Sequence, residues 1–264
     1  WGPDSYFAVK PAAGELIREL GLSHEIVTSN DSQRVTYLWK HDRLIPFPEG
    51  MQLISPTKIG PVLKTPLISW STKIRMGLDY FRRPPKEPLP DRTVADLVRD
   101  HYGQEAVDYI AEPLLAGVYG GDPERLSAQS VLPRFDTRYG SLTRGTLGNP
   151  TRPPKGGLFQ TLRGGMGQMI TALWERLEGH VHFLFQPVTR LEPAAAGYRA
   201  HFAQNAAKDV SAVVLACRTW QAAPLIESFA PTLAELLNGI PYSSALTVAL
   251  GYDRAQLDHP LEGF

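Results

Sequence analysis

Gly117, Gly120 and Gly121 have the types and spacing that most directly suggest a binding surface. Glycine has no β-carbon and tolerates positive φ, so the main chain at these positions can approach a ligand closely. The three glycines lie in the run AGVYGGDPERLS, after a helical pattern that ends near Leu115. The same spacing fits a tight connection between two helices, since glycine often serves turn geometry. The residues alone leave both interpretations open.

Signatures of nucleophilic, metal-dependent and nucleotide-hydrolysing enzymes are absent from the sequence. It contains no P-loop, no His-Glu-x-x-His helix and no Gly-x-Ser-x-Gly elbow. His180 and His182 share one predicted strand face but lack a third ligand, so we predict no metal site. The run Gly165–Gly167 begins a dinucleotide fingerprint, but Ile170 occupies the position of its last glycine. Any cofactor chemistry must therefore be inferred from other features.

Composition sets broad limits on the function. Lysine plus arginine and aspartate plus glutamate each number 27 among 264 residues, which gives no reason to expect nucleic acid as a partner. Cys217 is the only cysteine, so an internal disulfide is excluded, and its apolar surroundings predict a small buried side chain. No apolar run reaches the roughly 18 residues of a membrane span. We expect a cytoplasmic protein with at most peripheral membrane contact.

The elements that must position these residues begin with a helix and a hairpin. Pro11 suits a first helical turn and Gly21 a helix end. Two strands, RVTYLWK and RLIPFP, flank the polar turn His41–Asp42. Further on, Thr93 is placed to cap the helix VADLVRDHY, and Asp122 is placed to begin another.

Residues 58–86 form a basic and aromatic segment. The segment contains seven lysine and arginine residues and one acid, Asp79, which gives a local excess of six positive charges. One helical stripe collects the large apolar side chains Leu67, Trp70, Ile74, Leu78 and Phe81. Such a segment suits a membrane surface, where cations meet lipid phosphates and aromatic rings lie at the interface. It also suits a solvated helix packed on its own domain, and the pattern does not choose between them.

The last third of the sequence predicts an α/β layer. The helix GMGQMITALWERL precedes the predicted strands HVHFLFQPVTRLE, GYRAHFAQ, SAVVLAC and ALTVALGYD.

The run AEPLLAGVYGGDPERLS resembles the signature of oxygen-dependent protoporphyrinogen oxidases, which are members of the amine-oxidase-like flavoprotein superfamily. The segments GPDSYFAVKPAAGELIRELGL, ISPTKIGPVLKTPL, RYGSLTRG, GGMGQM and HPLEGF follow in the order typical of that family. The resemblance covers essentially the whole chain. It implies an internal fragment without the family's N-terminal dinucleotide fingerprint and C-terminal flavin-binding segment.

The fold class that this resemblance implies is α/β (α+β). A GR2-type, Rossmann-like FAD-binding domain would be accompanied by an antiparallel-sheet substrate domain and an inserted, mostly helical, membrane-associating domain. The implied boundaries, in order, are 1–33 (FAD-binding), 34–50 (substrate strands), 51–137 (helical, at the substrate entrance), 138–155 (connection), 156–226 (FAD-binding) and 227–264 (substrate strands).

The resemblance also assigns roles to individual residues. Val188, in QPVTRLE, matches the valine whose backbone contacts the adenine edge of FAD, and Gly165 and Gly167 are assigned to the same cofactor. No residue is assigned as a catalytic acid or base, since a flavin carries the difficult step.

On the substrate side, Leu114 is assigned as an apolar wall, and Gly117 and Gly120 lie over the macrocycle. Phe264 matches a residue that lines the site beside the flavin. Lys40 aligns with an arginine that holds a substrate propionate in plant relatives, although lysine lacks the planar guanidinium fork.

The implied activity is oxidation of protoporphyrinogen IX to protoporphyrin IX with dioxygen, in haem synthesis. Coproporphyrinogen III is the alternative substrate. An amine oxidase, a carotenoid desaturase and a non-catalytic porphyrin-binding scaffold are the alternative classes. The implied partners are the porphyrinogen, dioxygen, an anionic membrane surface through residues 58–86, a second copy of the chain and ferrochelatase. The expected location is cytoplasmic and peripheral on the inner (cell) membrane.

Overall fold

The computed structural model describes residues 3–30, 35–87, 90–132, 140–148, 157–244, 246, 248 and 250–256. The chain divides into two compact units, and the second is Trp174–Leu246. The described helices are α1 Pro11–Glu19, α2 Ile59–Lys64, α3 Trp70–Asp79, α4 Val94–Tyr102, α5 Gln104–Ala106, α6 Glu112–Tyr119, α7 Ala128–Val131, α8 Leu142–Gly148, α9 Gly167–Leu177, α10 Thr219–Ile226 and α11 Pro231–Asn238.

All described strand pairs are antiparallel. The strands are β1 Tyr6–Phe7, β2 Ile26–Thr28, β3 Tyr37–Lys40, β4 Arg43–Pro46, β5 Met51–Gln52, β6 Ser55–Pro56, β7 Phe159–Leu162, β8 Val188–Ala194, β9 Gly197–Phe202 and β10 Lys208–Val210. They form two three-stranded sheets, β1-β7-β2 and β10-β9-β8, and two hairpins, β3-β4 and β5-β6. The mixture of helices and sheet that the sequence predicts is confirmed, with antiparallel pairing among the described strands.

Local turn and cap chemistry is confirmed at several places. His41 and Asp42 both adopt positive φ between β3 and β4, as a two-residue hairpin turn requires. The side chain of Thr93 accepts a hydrogen bond from the backbone of Asp96 and caps α4. The helix predicted after Asp122 is wrong, because its side chain and carbonyl close a single turn, and α7 begins only at Ala128.

Helix α3 has its polar side inside and its apolar side outside. Thr72, Lys73 and Asp79 are buried, whereas the apolar side chains of its outer stripe are exposed: Trp70, Ile74, Leu78 and, just beyond the helix, Phe81. We call these four residues the α3 stripe. Trp70 is 65% exposed and Phe81 76%. The helix is confirmed, but its apolar stripe does not face the core.

Hydrogen bonds account for the buried polar side of α3. The carboxylate of Asp79 accepts hydrogen bonds from His101 Nδ1 at 2.5 Å, Ser141 Oγ at 2.9 Å and the Thr143 backbone N–H at 3.0 Å. Thr143 Oγ1 lies 2.9 Å from the hydroxyl of Tyr102, which is itself wholly buried. This network joins α3 to α4 and α8, so buried polar groups that would otherwise destabilise the fold are paired.

Opposing effects act on the pKa of Asp79. Burial alone would raise it, since a charged carboxylate loses its hydration. The hydrogen bonds from His101, Thr143 and Ser141, with the nearby charge of His101, outweigh burial and hold the pKa below its usual value.

The main apolar core surrounds α4 and the turn that follows it. A single π-helical turn, Val107–Ala111, joins α5 to α6. The largest fully buried apolar side chains of this core are Ile54, Leu67, Leu97, Tyr102, Ile110, Leu115, Leu132 and Leu142. The apolar side chains of α4 meet this core, as its helical period predicts.

The second unit contains the β8-β9-β10 sheet and the helices α10 and α11, which pack on each other. Two predictions are wrong here. Residues 181–187 lie outside any strand, and Phe183 instead stacks on Trp174 with ring centroids 4.0 Å apart. Residues 211–217 also lie outside any strand, so Val214 is 89% exposed and Cys217 is exposed rather than buried. Neither run pairs with a neighbouring strand among the described residues.

None of the helices in the described ranges combines the length and apolar character needed to cross a membrane.

We predict that Asp79→Asn lowers the free energy of unfolding by about 3 kcal/mol at pH 7, since it removes the charge of a buried pair. Because the folded pKa lies below 3.8, the contribution of the carboxylate is complete above that pH and is lost as the pH falls through the folded pKa. Urea unfolding at several pH values measures the difference. Asp108→Asn, which alters an exposed carboxylate bonded to Gln104, is the control. Equal stability of Asp79→Asn and the parent at pH 7 would contradict the prediction.

Candidate functional site

The glycines of the signature lie at the end of a helix. Gly117 is inside α6 and only Gly120, its C-cap, has positive φ, at 60°. The expected open turn is therefore wrong for Gly117, since the helix extends through Tyr119. Gly117 is exposed, and a β-carbon there would meet no described atom within 4 Å. The main chain of Gly117 is part of the helix, but no side chain covers the helix surface at this position.

The other substrate-side residues lie in different settings. Leu114 is half-buried on α6 and packs against the main core. Gly121 lies under the side chain of Leu126, at 3.0 Å from where a β-carbon would be. Phe264 lies outside the described residues. The structure thus places Leu114, Gly117 and Gly120 on one helix, and their contact with a macrocycle stays a prediction.

Lys40, at the end of β3, is buried. Its ammonium donates to the carbonyl of Leu67 at 2.7 Å, pairs with Glu105 Oε1 at 3.4 Å, and lies 3.7 Å from the centroid of the Tyr109 ring. An internal ion pair and a cation–π contact therefore already engage the cation. To hold a propionate, Lys40 would have to give up part of this arrangement.

Glu105 caps the N-terminal end of α3. Its Oε2 accepts from the backbone N–H of Ser69 at 2.9 Å, from Ser69 Oγ at 2.5 Å and from Thr72 Oγ1 at 2.6 Å. Burial alone would raise the pKa of this carboxyl, but the hydrogen bonds from Ser69, Thr72 and Lys40 hold it at about 2. The carboxylate stays charged and joins β3, α3 and α5.

An open groove of about 470 Å³ lies beside Glu105, where α3 begins opposite the junction of α4 and α5. We call it the α3 groove. Its lining is polar and consists of Ser69, Ser71, Thr72, Arg75, Tyr102, Gly103, Gln104 and Glu105. Such a surface suits a small polar or charged group.

The predicted cofactor contacts lie at the start of a strand and at a turn. Val188 begins β8, is half-buried, and precedes an irregularity in the pairing with β9. Two residues earlier, Gln186 Oε1 is buried without a partner among the described residues. A strand end with an unpaired acceptor fits the edge of an adenine, which offers donors and acceptors of its own.

Gly165 and Gly167 lie where β7 leads into α9. Gly165 has φ of 86°, and a β-carbon at either glycine would meet no described atom within 4 Å. The N–H of Gly164 donates to Gln168 Oε1 at 2.7 Å, so this turn is partly closed by its own side chain. The N–H of Gly165 bonds the carbonyl of Leu162, and the carbonyl of Gly165 accepts from the N–H of Gln168, so these glycines offer space beside the backbone for a ligand that approaches closely.

The basic segment 58–86 is only partly available to an external anion. Lys58 pairs with Glu49 and Arg82 with Asp100, while the ammonium of Lys73 bonds the carbonyls of Leu63 and Thr65. Among the described residues, five of its cations have no anionic partner: Lys64, Lys73, Arg75, Arg83 and Lys86.

Sequence reasoning missed the residues that organise this region. Asp79 is far in the sequence from His101 and Glu105, and none of the three belongs to a motif. A weak signal exists for α3, where Thr72, Lys73 and Asp79 interrupt the face that a buried helix would keep apolar.

Comparison with known proteins agrees with the family resemblance of the sequence. The sequence model described as "flavin containing amine oxidoreductase" matches residues 1–263. A coproporphyrinogen III oxidase of Propionibacterium freudenreichii subsp. freudenreichii is 31% identical over 97% of this chain and 55% of its own length. A coproporphyrinogen III oxidase of Bacillus subtilis is 30% identical over 100% of this chain and 57% of its own length. The chain thus spans about half the length of these relatives.

More distant comparisons agree. The chloroplastic protoporphyrinogen oxidase 1 of Spinacia oleracea is 26% identical over 100% of this chain and 50% of its own length. A crystal structure from Exiguobacterium sp. 255-15, provisionally described as a protoporphyrinogen oxidase, superposes with a TM-score of 0.71 at 26% identity, over 88% of this chain and 51% of that one. These matches confirm the resemblance to porphyrinogen oxidases.

We predict that Glu105→Gln lowers the free energy of unfolding by about 2 kcal/mol at pH 7, since buried Lys40 loses its counter-charge and α3 its anionic cap. The folded pKa of about 2 lies below the ordinary 4.5, so the advantage of the parent is complete above pH 4.5 and shrinks as the pH falls toward 2. Denaturant titrations across this range test it, with Glu15→Gln, on the exposed face of α1, as control. A difference that stayed constant from pH 7 to pH 2 would show that the charge of Glu105 is not the cause.

Proposed function

Because the chain belongs to the flavin-containing amine oxidoreductase family, we propose that the protein oxidises a porphyrinogen to the corresponding porphyrin, with FAD as its cofactor and dioxygen as the final acceptor. The observation that carries the proposal is the agreement in name among relatives that align along the whole chain. Since this chain spans about half of each relative, the activity is proposed for the protein that contains the remaining part of the fold.

Two porphyrinogens compete as the substrate. The relatives that are 30% and 31% identical are named for coproporphyrinogen III, and the 26% identical plant relative for protoporphyrinogen. This order favours coproporphyrinogen III over protoporphyrinogen IX, the first expectation from the sequence. Rates with both substrates, measured side by side on the flavin-loaded enzyme, decide between them.

The flavin would be held by main-chain groups of this chain. Val188, at the irregular start of β8, would contact the adenine edge, and Gly165 and Gly167 leave space for the cofactor to approach. The bound flavin supplies the acceptor for a hydride from the macrocycle. No side chain is required as a nucleophile, so the residues of this chain would bind, orient and exclude water.

The outer face of α6 would form part of the macrocycle site. A porphyrinogen is large and mostly apolar, so its site should combine apolar walls with few polar groups. Leu114 supplies an apolar side chain, and Gly117 leaves room beside it. The charged Lys40–Glu105 pair lies on neighbouring elements and would hold a propionate only by rearranging.

A non-catalytic porphyrin-binding scaffold and another flavoenzyme of the superfamily are the competing functions. The names of the relatives count against an amine oxidase or a carotenoid desaturase. A scaffold would keep α6 but lose flavin, so bound flavin in the purified protein would exclude the scaffold, and porphyrin formation by the flavin-loaded protein would exclude another flavoenzyme.

The α3 stripe supports a peripheral membrane contact. Four large apolar side chains face outward together, an arrangement that marks interaction sites more often than chance exposure. Aromatic rings and unpaired cations on the same segment favour an anionic lipid surface over an uncharged partner. A second copy of the chain and ferrochelatase remain further candidate partners.

We predict that Gly117→Val lowers kcat/KM for the porphyrinogen by about tenfold or more, because the isopropyl group fills space that the macrocycle would use. The control is Gly77→Val in α3, since a β-carbon at Gly77 likewise meets no described atom within 4 Å and the helix propensity cost is the same. Steady-state porphyrin fluorescence provides the rates. Equal activity of the two variants would show that α6 is not part of the substrate site.

We predict that Trp70→Ser and Phe81→Ser together weaken sedimentation with anionic vesicles by about tenfold or more, because each substitution removes a large apolar contact. Replacement of two exposed aromatics in the second unit, Phe185→Ser and Trp220→Ser, is the control. If both double variants bind vesicles as the parent does, the α3 stripe is not the membrane contact.

A further inference from the structure

The α3 groove contains one cation without a partner. Glu105 is engaged by Ser69, Thr72 and Lys40, and the hydroxyl of Tyr102 lies between Ser55 and Thr143. The side chain of Gln104 bonds Arg99 and Asp108. Within the described part of the chain, the guanidinium of Arg75 has neither a hydrogen bond nor an ion pair. It is the group in the groove that is free to bind a ligand.

Arg75 lies against the junction between α4 and α5. Gly103 has φ of 92°, and a β-carbon there would lie 2.8 Å from Arg75 Nη1. The absence of a β-carbon at Gly103 therefore leaves room for the guanidinium in this position. Ser71, one turn earlier on α3, presents a hydroxyl whose described contact is Ser69 Oγ at 2.8 Å. A guanidinium and a hydroxyl that lie at the same edge of the groove can both donate hydrogen bonds to an anion.

The groove opens beside the α3 stripe. Arg75 is three residues from Leu78, and Ser71 is three residues from Ile74, so each pair is adjacent on the helix surface. An anion held by Arg75 would therefore lie at the border of an exposed apolar surface. A ligand that combines an anionic head with an apolar tail would match both the α3 groove and the α3 stripe.

We propose that the α3 groove binds the phosphate of an anionic phospholipid, through Arg75 and Ser71, while the α3 stripe contacts the acyl region. This rests on the membrane contact proposed above and adds a headgroup site to it. The planar fork of arginine bonds two phosphate oxygens at once, which the ammonium of lysine cannot do. The charge of Glu105 does not oppose the anion strongly, because Lys40 compensates it at 3.4 Å.

The test compares Arg75→Lys with the parent chain on two vesicle types. One contains phosphatidylcholine and phosphatidic acid, and the other contains phosphatidylcholine and enough oleate to match the surface charge. Arg75→Lys keeps the charge and loses the fork, which bonds phosphate and carboxylate alike, so binding should weaken about fivefold or more on phosphatidic acid vesicles and should weaken on oleate vesicles too. Arg163→Lys, an exposed arginine at the turn before α9, is the matched control and should bind as the parent does.

Three results would overturn the proposal. If Arg75→Lys binds both vesicle types like the parent, Arg75 acts as a charge only and the headgroup site is lost while the membrane contact stands. Ser71 can bond the third phosphate oxygen, which a carboxylate lacks, so if Ser71→Ala weakens binding to both types equally, the groove takes carboxylates as well and is not a phosphate site. If the parent binds neither type, the membrane contact itself fails. Ser71→Ala, which leaves Arg75 in place, is the second variant and should weaken binding to phosphatidic acid vesicles alone.

Discussion

The pairing of buried polar groups on one side of α3 fixes the arrangement of the helical part of the first unit. Thr72, Lys73 and Asp79 face the core, where each is hydrogen-bonded to a neighbouring element. A rotation of α3 that exposed these three side chains would break the buried network and leave its partner groups unpaired. Buried polar groups without a partner cost more free energy than exposed apolar side chains. The outward position of the α3 stripe is therefore a consequence of the inward position of the charges.

The same constraint organises the surroundings of the candidate site. Glu105 links Lys40 of β3 to the start of α3, and α6 continues from the helical turns that follow Glu105. The bare face of α6, the α3 groove and the α3 stripe thus belong to one hydrogen-bonded framework within the first unit.

Features governed by local chemistry could be predicted from the sequence. The His41–Asp42 turn, the Thr93 cap and the strand β9 follow from residues close together in the chain. The orientation of α3 could not be predicted, because its apolar pattern favours burial and only distant partners such as His101 and Ser141 reverse it. Strand formation at 211–217 also depends on a neighbour, since an apolar run pairs only where another strand lies beside it. The roles proposed for Val188 and Gly117 rest on the resemblance to a family, because neither residue has a local sequence signal strong enough to predict a role.

The orientation of α3 is tested most directly by thiol reactivity along the helix. Cys217 is exposed, so single cysteines would be introduced at Ile74, Leu78 and Met76 in a Cys217→Ser background and treated with a water-soluble reagent. The account predicts rapid labelling at Ile74→Cys and Leu78→Cys and protection at Met76→Cys, which faces the core. Rapid labelling of Met76→Cys with protection at the other two positions would show that the apolar stripe faces inward and would contradict the account.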